Sequence, residues 1–134
     1  MRLLVLAVGR LRPPFADDVQ HYQRLLARLH QVEIVETEDD RVAARVPERA
    51  FTVLLDSGGT CLDSVAFSRF LEERRLSGQD LCFVVGGPRG IDLETCDMRL
   101  SFGPLTLPHQ LARVVLLEQL FRAHKILAGE PYHY

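Results

Sequence analysis

The chain has 134 residues, 47% apolar and 25% charged, the balance expected of one soluble globular domain over residues 1–134. A formal net charge of −2 argues against a protein that grips nucleic acid by overall positive charge, and no apolar run approaches the roughly 20 residues of a membrane span. The cysteines, Cys61, Cys82 and Cys96, stand far apart with no C-x-x-C pair, which argues against a disulfide framework or a zinc site.

The opening "MRLLVLAVGR" has the basic residue and apolar stretch of a signal peptide. The stretch is only about seven residues long and no small-residue cleavage site follows, so it reads as a buried strand ending at Gly9, in a cytoplasmic protein. Pro13 and Pro14 bar helix until about Ala16. From there to His30, Val19, Tyr22, Leu25, Leu26 and Leu29 recur at three- and four-residue spacings, which predicts an amphipathic helix. "VEIVE" alternates as a strand does, and "TEDDRVAARVPERA" predicts a polar loop with room for one helical turn.

"FTVLLD" (Phe51 to Asp56) predicts a second buried strand, closed by "SGGT". Asp63 or Ser64 can cap the helix that follows, and Ser77-Gly78 ends it. "LCFVVGG" predicts another strand, with Cys82 as a small core residue. After "PRGIDLETCDMR" and "LSFGPLTL", Pro108 leads into a long helix whose apolar stripe includes Leu111, Val114, Val115, Leu117, Leu120, Phe121 and Leu127. Strands alternating with helices predict an α/β domain, with a mostly parallel sheet and helices on both faces. Ligands of such sheets bind beyond the carboxyl ends of the strands, which directs attention to "DSGGT", "GGPRG" and "SFGPLTLPH".

"GGPRG" is neither a P-loop nor a dinucleotide fingerprint, and alone it is equally the mark of a tight turn without a ligand. All but one of the 16 basic residues are arginine, the exception being Lys125; a GC-rich genome explains that as readily as phosphate recognition does. In combination the loops say more. "LLVLAVGR", "LLDSGG", "FVVGGPRG", "LTLPHQLARVVLLEQLFRA" and the terminal "PYH" span nearly the whole chain in order. Together they resemble the SPOUT superfamily of methyltransferases, and more narrowly the RlmH family of 23S rRNA pseudouridine N3-methyltransferases.

The resemblance implies a C-terminal trefoil knot, a homodimer, S-adenosyl-L-methionine as cofactor, and no metal. It implies methylation of N3 of a pseudouridine in helix 69 of 23S rRNA on the assembled ribosome. Carried over by motif, Leu55, Gly86, Gly87, Phe102, Gly103, Pro104, Leu105, Thr106 and Leu107 are the expected cofactor-binding residues. His133 is the expected residue for proton removal or base positioning, and Tyr132 for stacking on or hydrogen-bonding the target base; the alternative is a tail pinned to a partner subunit. Arg89, Arg113 and Arg122 are the expected RNA contacts, with an ion pair to Glu118 as the other role open to the two on the last helix. His109 caps that helix or touches the cofactor. The chain departs from the family pattern at Glu130 and Tyr134 and is short between Glu36 and Phe51. A non-catalytic ribosome-binding factor with the same fold, and a nucleotide-binding regulatory module, are the competing readings.

Overall fold

Apolar runs at Leu3–Val8 and Leu81–Val85 form the two central strands of the sheet, β1 and β4. A computed structural model describes residues 1–29, 32–87 and 90–132, all but the side chain of Asp40 among them. β1 is followed by α1 (Ala16–Ala27), β2 (Val32–Thr37), a 3-10 turn at Asp39–Arg41 and the short α2 (Val42–Arg45). Then come β3 (Phe51–Cys61), α3 (Ser64–Ser77), β4, β5 (Met98–Ser101) and α4 (His109–Leu127). The strands pair in parallel in the order β2-β1-β4-β3-β5.

Alternate residues of β1 and β4 enter different cores, as a pleated strand covered on both faces requires. Val5, Ala7, Phe83 and Val85 face α1, α3 and α4, where Val19, Leu26, Phe67, Leu71, Leu116 and Leu120 are buried. Leu6, Val8, Cys82 and Val84 face Val42 of α2 and Leu93 of the β4–β5 connection. Burial pushes the Cys82 thiol up to about 11, so it is a small apolar core group. At α3, Asp63 accepts from the Ala66 N–H at 2.7 Å, and Gly78 closes the helix with φ +75°.

Two expectations need correction. "SGGT" does not close β3, which runs on to Cys61 and pairs again with β5 after a bulge between Leu55 and Thr60. The glycines allow it: a Cβ at Gly59 would lie 2.6 Å from the Arg99 carbonyl carbon and oxygen. The buried face of α4 is also rotated from the expected stripe. Gln110, Arg113, Leu116, Leu117, Leu120, Phe121 and Ala123 are buried, whereas Leu127 is exposed and Leu111, Val114 and Val115 are half-buried.

Candidate cofactor site at the carboxyl ends of the strands

The bulged middle of β3 at Leu55, Asp56 and Ser57, the loop after β4 and the β5–α4 connection border a cavity of about 810 Å³. Its walls combine apolar side chains (Leu55, Ile91, Phe102, Leu107) with glycine backbone and a few polar groups. At Gly87 a Cβ would come within 2.9 Å of Val8 Cγ1, so only glycine lets the chain after β4 lie this close to β1. Gly103 turns the chain out of β5 with φ +116°, a left-handed conformation that favours glycine. The Ser101 hydroxyl fixes this turn: it accepts from the Gly103 N–H at 3.0 Å and lies 3.1 Å from the Ser57 carbonyl.

Eight of the nine expected cofactor residues line the cavity: Leu55, Gly86, Gly87, Phe102, Gly103, Leu105, Thr106 and Leu107. Pro104 stands outside it, exposed to solvent. His109, for which a capping role was open, also lines the cavity, and no side-chain cap bond is made at the start of α4. Burial lowers its pKa, and the Arg113 and Arg12 charges add to the effect, so His109 is neutral near pH 7.

Sequence reasoning missed an ion-pair network on the same wall. Arg99 bonds Asp56 at 2.9 Å and Asp92 at 2.6 Å, and all three line the cavity. The Gly58 N–H and then Arg99 hold the Asp56 carboxyl below its usual range, so it stays ionised. In the sequence Asp56 is legible only as the end of an apolar run, and Arg99 lies in a stretch with no periodic signal.

The other expected site residues lie elsewhere. Arg113 is not a surface phosphate contact: its side chain is 1% exposed and bonds Glu36 at 2.9 Å and the Gly9 carbonyl at 3.1 Å. Arg122 pairs with Glu118 at 2.7 Å, the alternative left open for it, and its guanidinium sits over the Tyr132 ring at 4.9 Å. Tyr132 packs edge-on against Phe121, with ring centroids 5.0 Å apart, at the opposite end of α4 from the cavity. Glu130, a departure from the family pattern, pairs with Lys125, and its N–H donates to the Lys125 carbonyl at 2.9 Å. Arg89 and His133 lie outside the described residues. Among the described residues, no cluster of His, Cys, Asp or Glu could hold a metal ion and no helix is long and apolar enough to cross a membrane.

A parallel α/β sheet with a glycine-lined cavity at the strand ends places the chain among the doubly wound α/β domains, a class whose ligand sites lie at that end of the sheet. Residues 1–133 match the family described as "Predicted SPOUT methyltransferase". A Gluconacetobacter diazotrophicus protein named ribosomal RNA large subunit methyltransferase H is 43% identical over 148 residues, covering 99% of this chain and 96% of its own. A protein of the same name from Rubrobacter xylanophilus is 42% identical, with 99% and 98% covered, and one from Gemmatimonas aurantiaca 37%, with 99% of each covered. A solved structure of a candidate RNA methyltransferase from Bacillus anthracis superposes with a TM-score of 0.56 over 98% of this chain and 99% of that one; at 16% identity it supports the fold. The chain belongs to the SPOUT methyltransferase family and, within it, to the group named ribosomal RNA large subunit methyltransferase H.

Proposed function

We propose that this protein is an S-adenosyl-L-methionine-dependent methyltransferase acting on 23S rRNA of the large ribosomal subunit. The observation that carries the proposal is the cavity: three stretches that match the family motifs, one within β3 and two in the loops that follow β4 and β5, converge on one space. Its volume of about 810 Å³ lies within the range of about 300–1,000 Å³ common for small-ligand pockets. The lining also fits the chemistry of S-adenosylmethionine. Leu55, Phe102 and Leu107 offer an apolar slot for a purine, and the Gly86, Gly87 and Gly103 backbone offers unhindered N–H and C=O groups. Asp56 and Asp92 share one guanidinium, that of Arg99, and the net negative charge left on this wall complements a cationic group.

When bound, the cofactor supplies a methyl group already activated on a sulfonium. The task left to the chain is alignment and proton management. Fixing donor and acceptor in line contributes several kcal/mol, and the Ser101-braced turn, with Gln110 buried in the first turn of α4, holds the cavity walls.

The finer assignment rests on the motif resemblance: N3 of a pseudouridine in helix 69, modified on the assembled ribosome by a cytoplasmic homodimer with a C-terminal trefoil knot. One geometric fact supports the dimer. Tyr132 packs on Phe121 and against Arg122, whereas His109 opens α4, so roughly 18 Å of helix separates the tail from the cavity of its own chain. A tail that is to meet a target base beside the cavity therefore meets it at the cavity of a second copy. Tyr132 stacks on that base and His133 takes or orients its N3 proton.

Titration of the purified protein with S-adenosylmethionine by calorimetry is expected to show stoichiometric binding; no heat at millimolar cofactor would overturn the proposal. A His133→Ala variant that methylates at the full rate would remove His133 from the mechanism.

A further inference from the structure

Arg113 and Arg122, two of the arginines expected to meet rRNA, are engaged by carboxylates. Arg89, the third, lies outside the described residues, and the loop joining β1 to α1 offers two further arginines. We propose that Arg10 and Arg12 form a phosphate-binding rim that seats the rRNA backbone beside the cavity. The proposal rests on the rRNA methyltransferase reading and deepens it.

The loop is held from three sides. The Gly9 N–H donates to the Thr37 carbonyl at 3.0 Å, and the Gly9 carbonyl accepts from Arg113 at 3.1 Å. Gln110, buried in α4, donates to the Arg10 carbonyl at 2.7 Å and accepts from the Arg12 N–H at 2.7 Å. The Leu11 N–H donates to Glu36 at 2.7 Å. Backbone and buried side chains thus fix the path of the loop. Its two arginine side chains are left exposed.

Neither guanidinium has a carboxylate within ion-pair distance among the described residues, although Asp17 and Asp18 stand in the first turn of α1. By contrast Arg41, Arg75, Arg99, Arg113 and Arg122 are all paired. Position completes the case. Gln110 adjoins His109, which lines the cavity, and the Arg12 charge is felt at that imidazole. The other exposed arginines outside these pairs do not line the cavity or its loops: Arg2 and Arg49 precede β1 and β3 at the opposite end of the sheet, Arg24 and Arg28 lie in and at the end of α1, and Arg45 and Arg69 lie on α2 and α3. A backbone fixed by buried groups loses little entropy when its arginines meet phosphate, and Arg suits that contact by its planar fork.

Fluorescence anisotropy with a fluorescein-labelled hairpin of helix 69 sequence tests the proposal over a salt series, independently of turnover. Each phosphate neutralised contributes about 0.7 on a single strand and about 0.9 on a duplex to the slope of log affinity against log salt, so Arg10→Gln/Arg12→Gln is expected to weaken binding and lower the slope by about 1.4–1.8. Arg2→Gln/Arg49→Gln, matched in charge, is expected to keep the wild-type slope. Cofactor titration and thermal unfolding of Arg10→Gln/Arg12→Gln should match wild type, because the loop is held through its backbone. A wild-type slope in Arg10→Gln/Arg12→Gln, an equal loss in the control pair, or no salt-dependent RNA binding by wild type would each overturn the proposal. Loss of slope without any methyl transfer by wild type would instead count against the enzyme reading alone.

Discussion

Replacing Glu36 by Gln removes the charge that faces Arg113 while leaving an acceptor for the Leu11 N–H. The two partners differ in exposure, 1% for Arg113 against 39% for Glu36. Removing one partner of a fully buried ion pair costs about 3–5 kcal/mol, because the remaining charge is stranded in a poor solvent. Here one side of the pair is wet and Arg113 keeps the Gly9 carbonyl, so the expected cost lies lower, at about 2–3 kcal/mol. For a chain of this size each kcal/mol moves Tm by roughly 3–5 °C, so a drop of about 6–15 °C is expected. Arg113→Met removes the charge, together with the bonds to Glu36 and the Gly9 carbonyl, and keeps an unbranched side chain. Urea unfolding of Glu36→Gln, Arg113→Met and the double variant completes a double-mutant cycle. The expected outcome is that Glu36→Gln costs nothing further once Arg113 is gone. A Glu36→Gln cost below about 0.5 kcal/mol, or strict additivity of the two changes, would refute the reasoning.

Gly59→Ala should destabilise by about 1–3 kcal/mol, since its Cβ would overlap the Arg99 backbone at 2.6 Å and force β3 and β5 apart. Because Arg99 lines the cavity, the same variant should weaken cofactor binding; calorimetry and thermal unfolding read both effects. The pH dependence has a definite sign. Burial lowers the pKa of both His109 and His124 below the ordinary value of 6.5. The unfolded chain therefore binds more protons between the folded and unfolded values, and stability rises with pH there. That contribution is complete above about pH 6.5 and is lost as pH falls through the folded values. Unfolding midpoints measured from pH 7.5 to 5 should fall, and His109→Gln with His124→Gln should flatten the fall; a midpoint unmoved by pH in wild type would contradict it.

What could be read from the sequence follows from how local each signal is. The central strands are buried on both faces, so they appear as unbroken apolar runs at Leu3–Val8 and Leu81–Val85. The cavity loops were legible because a backbone turning tightly at a strand end demands residues such as Gly87 and Gly103. Gly58 and Gly59 misled for the same reason, since glycine also serves a strand that must approach another backbone. Arg113 looked like a surface cation because its partners, Glu36 and Gly9, are remote in sequence. Nothing in a linear pattern separates it from Arg10 or Arg12. The Asp56–Arg99–Asp92 network is hidden in the same way, being assembled only when β5 pairs with β3.

The most direct test of the account is methyl transfer itself. Ribosomes lacking the helix 69 modification, incubated with the purified protein and S-adenosylmethionine labelled on the methyl group, should take up label in the 23S rRNA. Digestion to nucleosides should yield N3-methylpseudouridine, and ribosomes already carrying the mark should take up none. Absence of label in the unmodified ribosomes, under conditions where the cofactor binds, would contradict the account.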